Sequence, residues 1–358
     1  MHKERIDRVL TALEGLGAEQ MLVSDPMSVF YLTGVYVQPF ERFFGLLLRS
    51  GGEHVLFLNR LFHVPQDVGI EKVWYSDTDP VTELIADRLD PAVPLAVDKD
   101  LPARFLLPLM EQRAASAFLN GSVAVDRTRG VKDADEQKRM IRASAINDAA
   151  MARFRGLIHE GVTERKVADQ MLDIYRALGA DGYSFAPLVA FGANAADPHH
   201  EPDDTVLQTG DCVLFDVGCI KDGYCSDMTR TFFYRKVSDE HRKVYEIVRR
   251  ANEAAEALIR PGVRLCELDA AARDLITKEG YGPQFNHRLG HFIGLREHEY
   301  GDVSSACEWQ AEPGMIFSIE PGIYLAGDVG VRIEDLVLVT DSGMQPLNLF
   351  AHDLEILN

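Results

Sequence analysis

Carboxylates are disfavoured inside apolar β-strands, because a buried charge without a partner is costly. This sequence places them there repeatedly. Asp216 interrupts the run Val213-Leu214-Phe215-Asp216-Val217-Gly218. Asp227 stands eleven residues later, at the head of a second apolar run, Thr229-Arg230-Thr231-Phe232-Phe233-Tyr234. The turn signal Lys221-Asp222-Gly223 between them predicts a hairpin, which sets both carboxylates on one face. The pattern recurs further on. Glu320 follows Ile316-Phe317-Ser318-Ile319, and Glu334 follows fourteen residues later in Val331-Arg332-Ile333-Glu334-Asp335-Leu336-Val337, across a turn at Gly327–Gly330. Between the two hairpins lies His287-Arg288-Leu289-Gly290-His291-Phe292-Ile293-Gly294-Leu295-Arg296-Glu297-His298.

Paired carboxylates serve as acid/base couples, structural ion pairs or metal ligands. Four of them converging on an imidazole repel strongly unless cations sit among them. An oxygen-rich set with one histidine suits divalent Mn, Co, Zn or Fe. Bridging carboxylates would hold two metals roughly 3.5–4 Å apart. The cysteines Cys212, Cys219 and Cys225 lie near Asp216 and Asp227, but no pair forms C-x-x-C and the total of five is odd. They read as reduced, packed thiols of a cytoplasmic protein, not as sulfur ligands.

The remaining composition narrows the function. A net charge of −19 argues against nucleic acid or anionic lipid as a partner. No apolar run is long enough to span a membrane, and the charged start Met1-His2-Lys3-Glu4-Arg5 lacks a secretory signal. Neither a P-loop motif nor G-x-S-x-G occurs. A chain of 358 residues, 46% apolar, suits two domains.

The first domain is expected over 1–127. It holds a helix over 4–17, a strand at Gln20–Val23, a hairpin of Phe44–Arg49 with His54–Leu58, a helix over Val81–Leu89 and a strand at Leu95–Asp98. The second is expected over 128–358, with 121–131 as the linker. There, helices over Lys132–His159 and Thr163–Leu178 precede the first hairpin, and helices over Asp239–Ile259 and Cys266–Glu279 precede the strands Met315–Ile319, Ile323–Leu325 and Leu336–Thr340. That order suggests a duplicated half.

The pattern resembles the pita-bread metallopeptidases: methionine aminopeptidase, aminopeptidase P and prolidase. The matching stretches are Phe215-Asp216-Val217-Gly218, Ser226-Asp227-Met228-Thr229-Arg230-Thr231, His287 to Gly294, Ser318-Ile319-Glu320-Pro321-Gly322-Ile323-Tyr324 and Gly330-Val331-Arg332-Ile333-Glu334-Asp335. They fall in order over residues 130–345. The resemblance implies an α+β chain, a C-terminal pita-bread (creatinase/aminopeptidase) fold with a smaller N-terminal α/β domain. It implies two divalent metal ions, manganese first, with cobalt, zinc or iron as alternatives. Their ligands would be Asp216, Asp227, His291, Glu320 and Glu334, with Asp227 and Glu334 bridging. Catalytic roles fall to His199, with His200 beside it, to His298 at the oxyanion and to Glu320 as proton carrier. His287 matches a pocket-wall histidine.

The Ser-Ile-Glu-Pro-Gly-Ile-Tyr and Val-Arg-Ile-Glu-Asp forms resemble prolidase and aminopeptidase P more than methionine aminopeptidase. The implied activity is hydrolysis of the Xaa-Pro imide bond, of dipeptides first. Xaa-Pro aminopeptidase action on longer peptides, or hydrolysis of a non-peptide amide, are the alternatives. The substrate is then a small peptide and the assembly a homodimer. A dipeptide's carboxylate needs a cation; Arg296, Arg332 or Arg42 from the Gln38–Arg42 loop of the partner subunit are the candidates, and Arg332 also reads as a structural partner of a ligand carboxylate. Creatinase-like hydrolases and non-catalytic binding relatives lose metal ligands, whereas this chain retains all five. Departures from the family pattern are Phe292 where a glycine is usual, Asp197 before Pro198-His199, and Arg296-Glu297 before His298; all three are expected near the pocket.

Overall fold

A computed structural model describes residues 1–358. The chain forms two compact units, Met1–Arg129 and Gly130–Asn358. The first is built on a six-stranded mixed sheet in the order Glu71–Tyr75, Val55–Asn59, Gly45–Arg49, Gln20–Val23, Leu95–Val97, Phe118–Asn120. Gln20–Val23 runs antiparallel to Gly45–Arg49 and parallel to Leu95–Val97. All four of its residues are buried, as a strand in mid-sheet requires. Helix Lys3–Gly15 lays Ile6, Val9 and Leu13 against the core and stops before Gly17, whose φ of +71° suits glycine.

The boundary between the units falls within the linker expected over 121–131, and that stretch is a helix, Ser122–Gly130. Asn120 Oδ1 accepts from the amide and hydroxyl of Ser122 at its start, and the buried Arg129 guanidinium meets Asp25 Oδ2 at 3.1 Å near its end. The polar residues that made this stretch read as a linker are therefore spent on capping and ion pairing.

The second unit starts with helices Ala134–Phe154 and Glu164–Ala177. Asp133 and Glu136 close a capping box on the first, and Thr163 caps the second. A four-stranded sheet follows, ordered Ile356–Leu357, Met228–Tyr234, Cys212–Val217, Leu188–Phe191. Helices Asp239–Glu256 and Leu265–Lys278 precede a five-stranded sheet, ordered Glu299–Val303, Gly290–Phe292, Ile316–Ile319, Asp335–Val339, Met344–Pro346. The helix–helix–sheet order thus occurs twice, as the sequence suggested.

Two contacts join these sheets. The Glu334 amide donates to the Thr229 carbonyl at 3.1 Å. Arg230, 1% exposed, donates to Asp335 Oδ1 at 2.7 Å and to the carbonyls of Glu334 and Phe350 at 2.7 and 2.6 Å. The Gly322–Leu325/Val329–Arg332 hairpin is pressed against residues 192–196 so closely that a Cβ on Gly330 would stand 1.6 Å from the Ala195 carbonyl oxygen. Only glycine fits there, so Gly330→Ala is expected to destabilise the chain by about 3 kcal/mol or more in chemical denaturation. A surface substitution such as Gly156→Ala, which meets nothing within 4 Å, serves as the control.

Candidate active site

Strand register decides which side chains meet. Asp216 pairs across the sheet with Thr229, and Asp227 lies two residues before Thr229, so all three share one face. The second sheet does the same: Ile319 pairs with Asp335, which sets Glu320 opposite Glu334 just beyond the paired segment. Phe292 pairs with Phe317, and the Glu320 amide donates to the Leu289 carbonyl at 2.8 Å, which sets His291 opposite Ser318. Gly290 allows this approach, since a Cβ there would lie 1.9 Å from the Ser318 carbonyl oxygen. The glutamates sit at strand ends and not within strands, because Pro321 and the next hairpin end each ladder.

Asp216, Asp227, His291, Glu320 and Glu334 all line one cavity of about 690 Å³. His291 Nε2 lies 3.4 Å from Glu320 Oε1, 3.6 Å from Asp227 Oδ2 and 3.9 Å from Glu334 Oε1. His291 Nδ1 faces the Phe292 carbonyl at 3.2 Å. A carbonyl only accepts, so the ring proton belongs on Nδ1 and the Nε2 lone pair points at the carboxylates. Burial holds this imidazole well below its usual pKa, with His298 adding to the effect. Burial likewise pushes Asp227 and Glu334 well above the usual carboxylate range, reinforced by their acidic neighbours, and Glu320 up to about 7.

Asp216 Oδ1, Asp227 Oδ1 and Glu334 Oε1 are buried with no hydrogen-bond partner. Ligand atoms of Asp227, His291 and Glu334 lie within 4.8 Å of one another. Buried orphan oxygens facing a bare imidazole nitrogen are a cation-shaped gap in the bonding, and the donor set fits divalent metal. The thiols do not compete for it. Cys212 packs on the Gly192 carbonyl and Cys219 on the Ala143 carbonyl, and burial pushes their pKa values to about 12 and about 11.

These observations agree with the two segments matched by family models. Residues 138–341 match metallopeptidase family M24, and residues 5–131 match the creatinase/prolidase N-terminal domain. The chain belongs to the M24 metallopeptidases. Its fold is a creatinase/prolidase N-terminal domain followed by an M24 pita-bread domain, as the sequence led us to expect. An uncharacterized peptidase from Staphylococcus aureus is 36% identical over 354 residues, covering 96% of this chain and 98% of that one. A dipeptidase from Mycobacterium ulcerans superposes with a TM-score of 0.93 at 34% identity, over 99% of this chain and 97% of that one. A prolidase from Thermococcus sibiricus gives 0.90 at 34% identity, over 100% and 99%. M24 membership implies a divalent metal and a peptide substrate. No helix is long and apolar enough to cross a membrane.

The other site residues divide. His199 and His298 both line the cavity, and neither ring has a hydrogen-bond partner. His298 lies beside His291, with ring centroids 4.0 Å apart and the planes inclined at 53°. Adjacent His200 is committed, at 2.7 Å from buried Glu164. His287 also lines the cavity. Its Nδ1 donates to the Arg288 carbonyl at 2.7 Å and its Nε2 meets the Tyr324 hydroxyl at 2.9 Å, while burial, then Arg332, lowers its pKa to about 4. Arg332 lines the cavity but spends its donors on Asp216 at 2.6 Å, Tyr324 at 2.9 Å and Thr229 at 3.1 Å. That is the structural role, holding a ligand carboxylate from behind.

One expected carboxylate-binding arginine does not line the cavity. Arg296 is exposed and outside its lining. Arg42, in the N-terminal unit, is forked onto Asp77 at 2.8 and 2.9 Å. The cavity's cation is Arg288, partly buried and with no hydrogen-bond or ion-pair partner for its guanidinium. Its signal in the sequence was its place between His287 and Gly290-His291, inside the histidine run.

Phe292 is not a pocket residue either. Strand alternation turns it away from His291 into the core against Phe317 and Trp309, over Gly301, where a Cβ would stand 2.8 Å from its ring. Residue alternation in the strand was enough to foresee this.

Glu334→Gln removes one of the repelling charges. Its metal-free thermal midpoint is expected above that of the native chain, and its rise on adding Mn²⁺ below the native rise. A native midpoint unmoved by Mn²⁺, Co²⁺ and Zn²⁺ alike would contradict a metal centre here.

Proposed function

We propose that this M24 metallopeptidase hydrolyses the Xaa-Pro imide bond, and that its preferred substrate is the dipeptide, as in a prolidase. The observation that carries the reading is one unpartnered cation, Arg288, in a cavity whose other charged groups are carboxylates or engaged cations. Such a cavity suits a short peptide whose free carboxylate completes the charge balance. The similarity to a dipeptidase and a prolidase over nearly the whole chain supports it.

In this reading Asp216, Asp227, His291, Glu320 and Glu334 would hold two divalent ions. Manganese is our first assignment, with cobalt, zinc or iron as alternatives, given four carboxylates and one imidazole. Bound metals of this kind make water nucleophilic near neutral pH and polarise the scissile carbonyl. The protein's own groups do the rest. Glu320, fixed by the Ser318 hydroxyl at 3.1 Å, carries the proton to the leaving imide nitrogen. His199 and His298 hold the carbonyl and its developing negative charge. The Tyr324 hydroxyl donates to His287 Nε2, and burial keeps that ring neutral as the wall of the proline pocket. We further propose a homodimer in the cytoplasm.

The aminopeptidase alternative draws on the cavity volume of about 690 Å³, mid-range for a small-molecule site and larger than a dipeptide fills. Metal-loaded protein assayed on an Xaa-Pro dipeptide, its C-terminal amide and an Xaa-Pro-Yaa tripeptide separates the readings. The dipeptide should be cleaved at least about tenfold more efficiently than the other two. Arg288→Ala should raise the dipeptide KM roughly tenfold or more, at nearly unchanged kcat, and leave the amide unaffected. Equal or better cleavage of the tripeptide would make the enzyme an aminopeptidase. The KM effect appearing in Arg42→Ala instead would transfer the carboxylate to the N-terminal loop.

A further inference from the structure

His199 and His298 pose a physical problem. Each is exposed, neither ring is hydrogen-bonded, and both lie on irregular segments. An unrestrained imidazole samples several rotamers, whereas a group acting on a reacting carbonyl must be held to within a fraction of an ångström. The restraint lies one residue along the chain in both cases.

His200, next to His199, meets Glu164 Oε2 at 2.7 Å. Glu164 is 0% exposed at the start of helix Glu164–Ala177. Its carboxylate also accepts from the Phe191 amide at 2.7 Å, Asn194 Nδ2 at 3.0 Å and the Asp203 amide at 3.1 Å. Every donor belongs to residues 191–203, the segment that carries His199 into the cavity wall. Oε2 thus accepts from the Asp203 amide and faces His200 Nε2. Glu164, His200 and Asp203 bring their ligand atoms within 4.8 Å of one another. This is nonetheless no metal site, because N–H donors already use the Glu164 oxygens.

Glu299, next to His298, forms the second anchor. Its side chain is 5% exposed and faces Lys132 Nζ, 1% exposed, at 3.5 Å. Its Oε1 accepts from the Leu295 amide at 2.9 Å, closing the turn 295–299 that presents His298. A Cβ on Gly294 would lie 2.9 Å from both Glu299 oxygens, so the turn is wrapped tightly about this carboxylate. Lys132 sits just before helix Ala134–Phe154, and its amide is tied to the Gly314 carbonyl at 2.8 Å. Each histidine is thus the neighbour of a residue locked in a polar pair whose other half sits buried at or just before the start of a long helix.

We infer that Glu164–His200 and Lys132–Glu299 are positioning pairs that aim His199 and His298, respectively, at the substrate. The inference rests on the roles proposed above for those two histidines. His200 also lines the cavity, but its ring is turned onto Glu164, and neither pair acts on the reacting carbonyl. Each acts by removing the backbone freedom of its histidine's segment, so losing it lowers kcat through the histidine and not through the metal ligands or the fold as a whole.

Double-mutant cycles on the metal-loaded, full-length enzyme with an Xaa-Pro dipeptide test this. Glu164→Gln turns an amide donor toward His200 and the Asp203 amide, and Glu299→Gln turns one toward Lys132. Each should lower kcat by about 10–100-fold, with KM and bound metal within about twofold of native. In a His199→Ala background, Glu164→Gln should cost less than about threefold, but its full effect should persist in His298→Ala. Glu299→Gln should show the mirror pattern. His200→Gln, which restores a donor to Glu164, should keep most of the activity, and His200→Ala should lose as much as Glu164→Gln.

Equal losses in both histidine backgrounds would mean a general structural role and overturn the inference. So would native kcat in His200→Ala. The proposed function fails differently: native enzyme holding two metals would cleave no proline substrate, or His199→Ala and His298→Ala would both retain native rates.

Discussion

Uncompensated negative charge at the centre of the cavity is the constraint on which the rest of the structure depends. Three orphan carboxylate oxygens and a bare imidazole nitrogen are packed together in the wall of one cavity. Such a cluster is repulsive by itself and becomes favourable only around cations. The protein cannot relieve the repulsion by moving one ligand, because each is fixed by strand register. Asp216 is tied to its place opposite Thr229, and Glu320 to its place opposite Glu334. The hydrogen bond from Glu334 to Thr229 fixes one sheet against the other. The scaffold thus imposes the charge density, and the metal answers it.

The same constraint sorts the basic residues. Arg332 lies among Asp216, Glu320 and Glu334; burial opposes its charge, but Tyr324 and these carboxylates outweigh burial and raise its pKa well above the usual value. Arg230 does similar work behind the site, where Asp335 meets it and stays below the usual carboxylate range despite burial. Both cations are consumed in holding carboxylates. Arg288 is not, so it remains for a ligand. Fully engaged arginines position the site and one is left unengaged, a division that residue type alone does not reveal.

Rigid ligands also explain where freedom is left. The metal ligands sit on or beside paired strands, whereas His199 and His298 ride on loops between elements. Loops suit groups that must meet a bond whose geometry changes during reaction. They need anchoring to do so, and the buried pairs at Glu164 and Glu299 supply it from helix starts.

The sequence by itself determined the two-unit α+β architecture, the hairpins and the four acids and one histidine that line the cavity together. The physical reason is local: an acid in an apolar run, a turn signal and a period of two are visible in a dozen residues, and a charge placed against propensity has few explanations. The same local logic placed the boundary between the units within 121–131 but did not show that this stretch is a helix, because its capping and ion-pairing partners lie elsewhere in the chain. What only the tertiary structure decided are the pairings across long separations. Arg332 meets Asp216 from 116 residues away, and His200 meets Glu164 from 36. Those contacts tell an engaged arginine from a free one and His199 from His200. They follow from how the strands and loops pack, which no stretch of sequence encodes on its own.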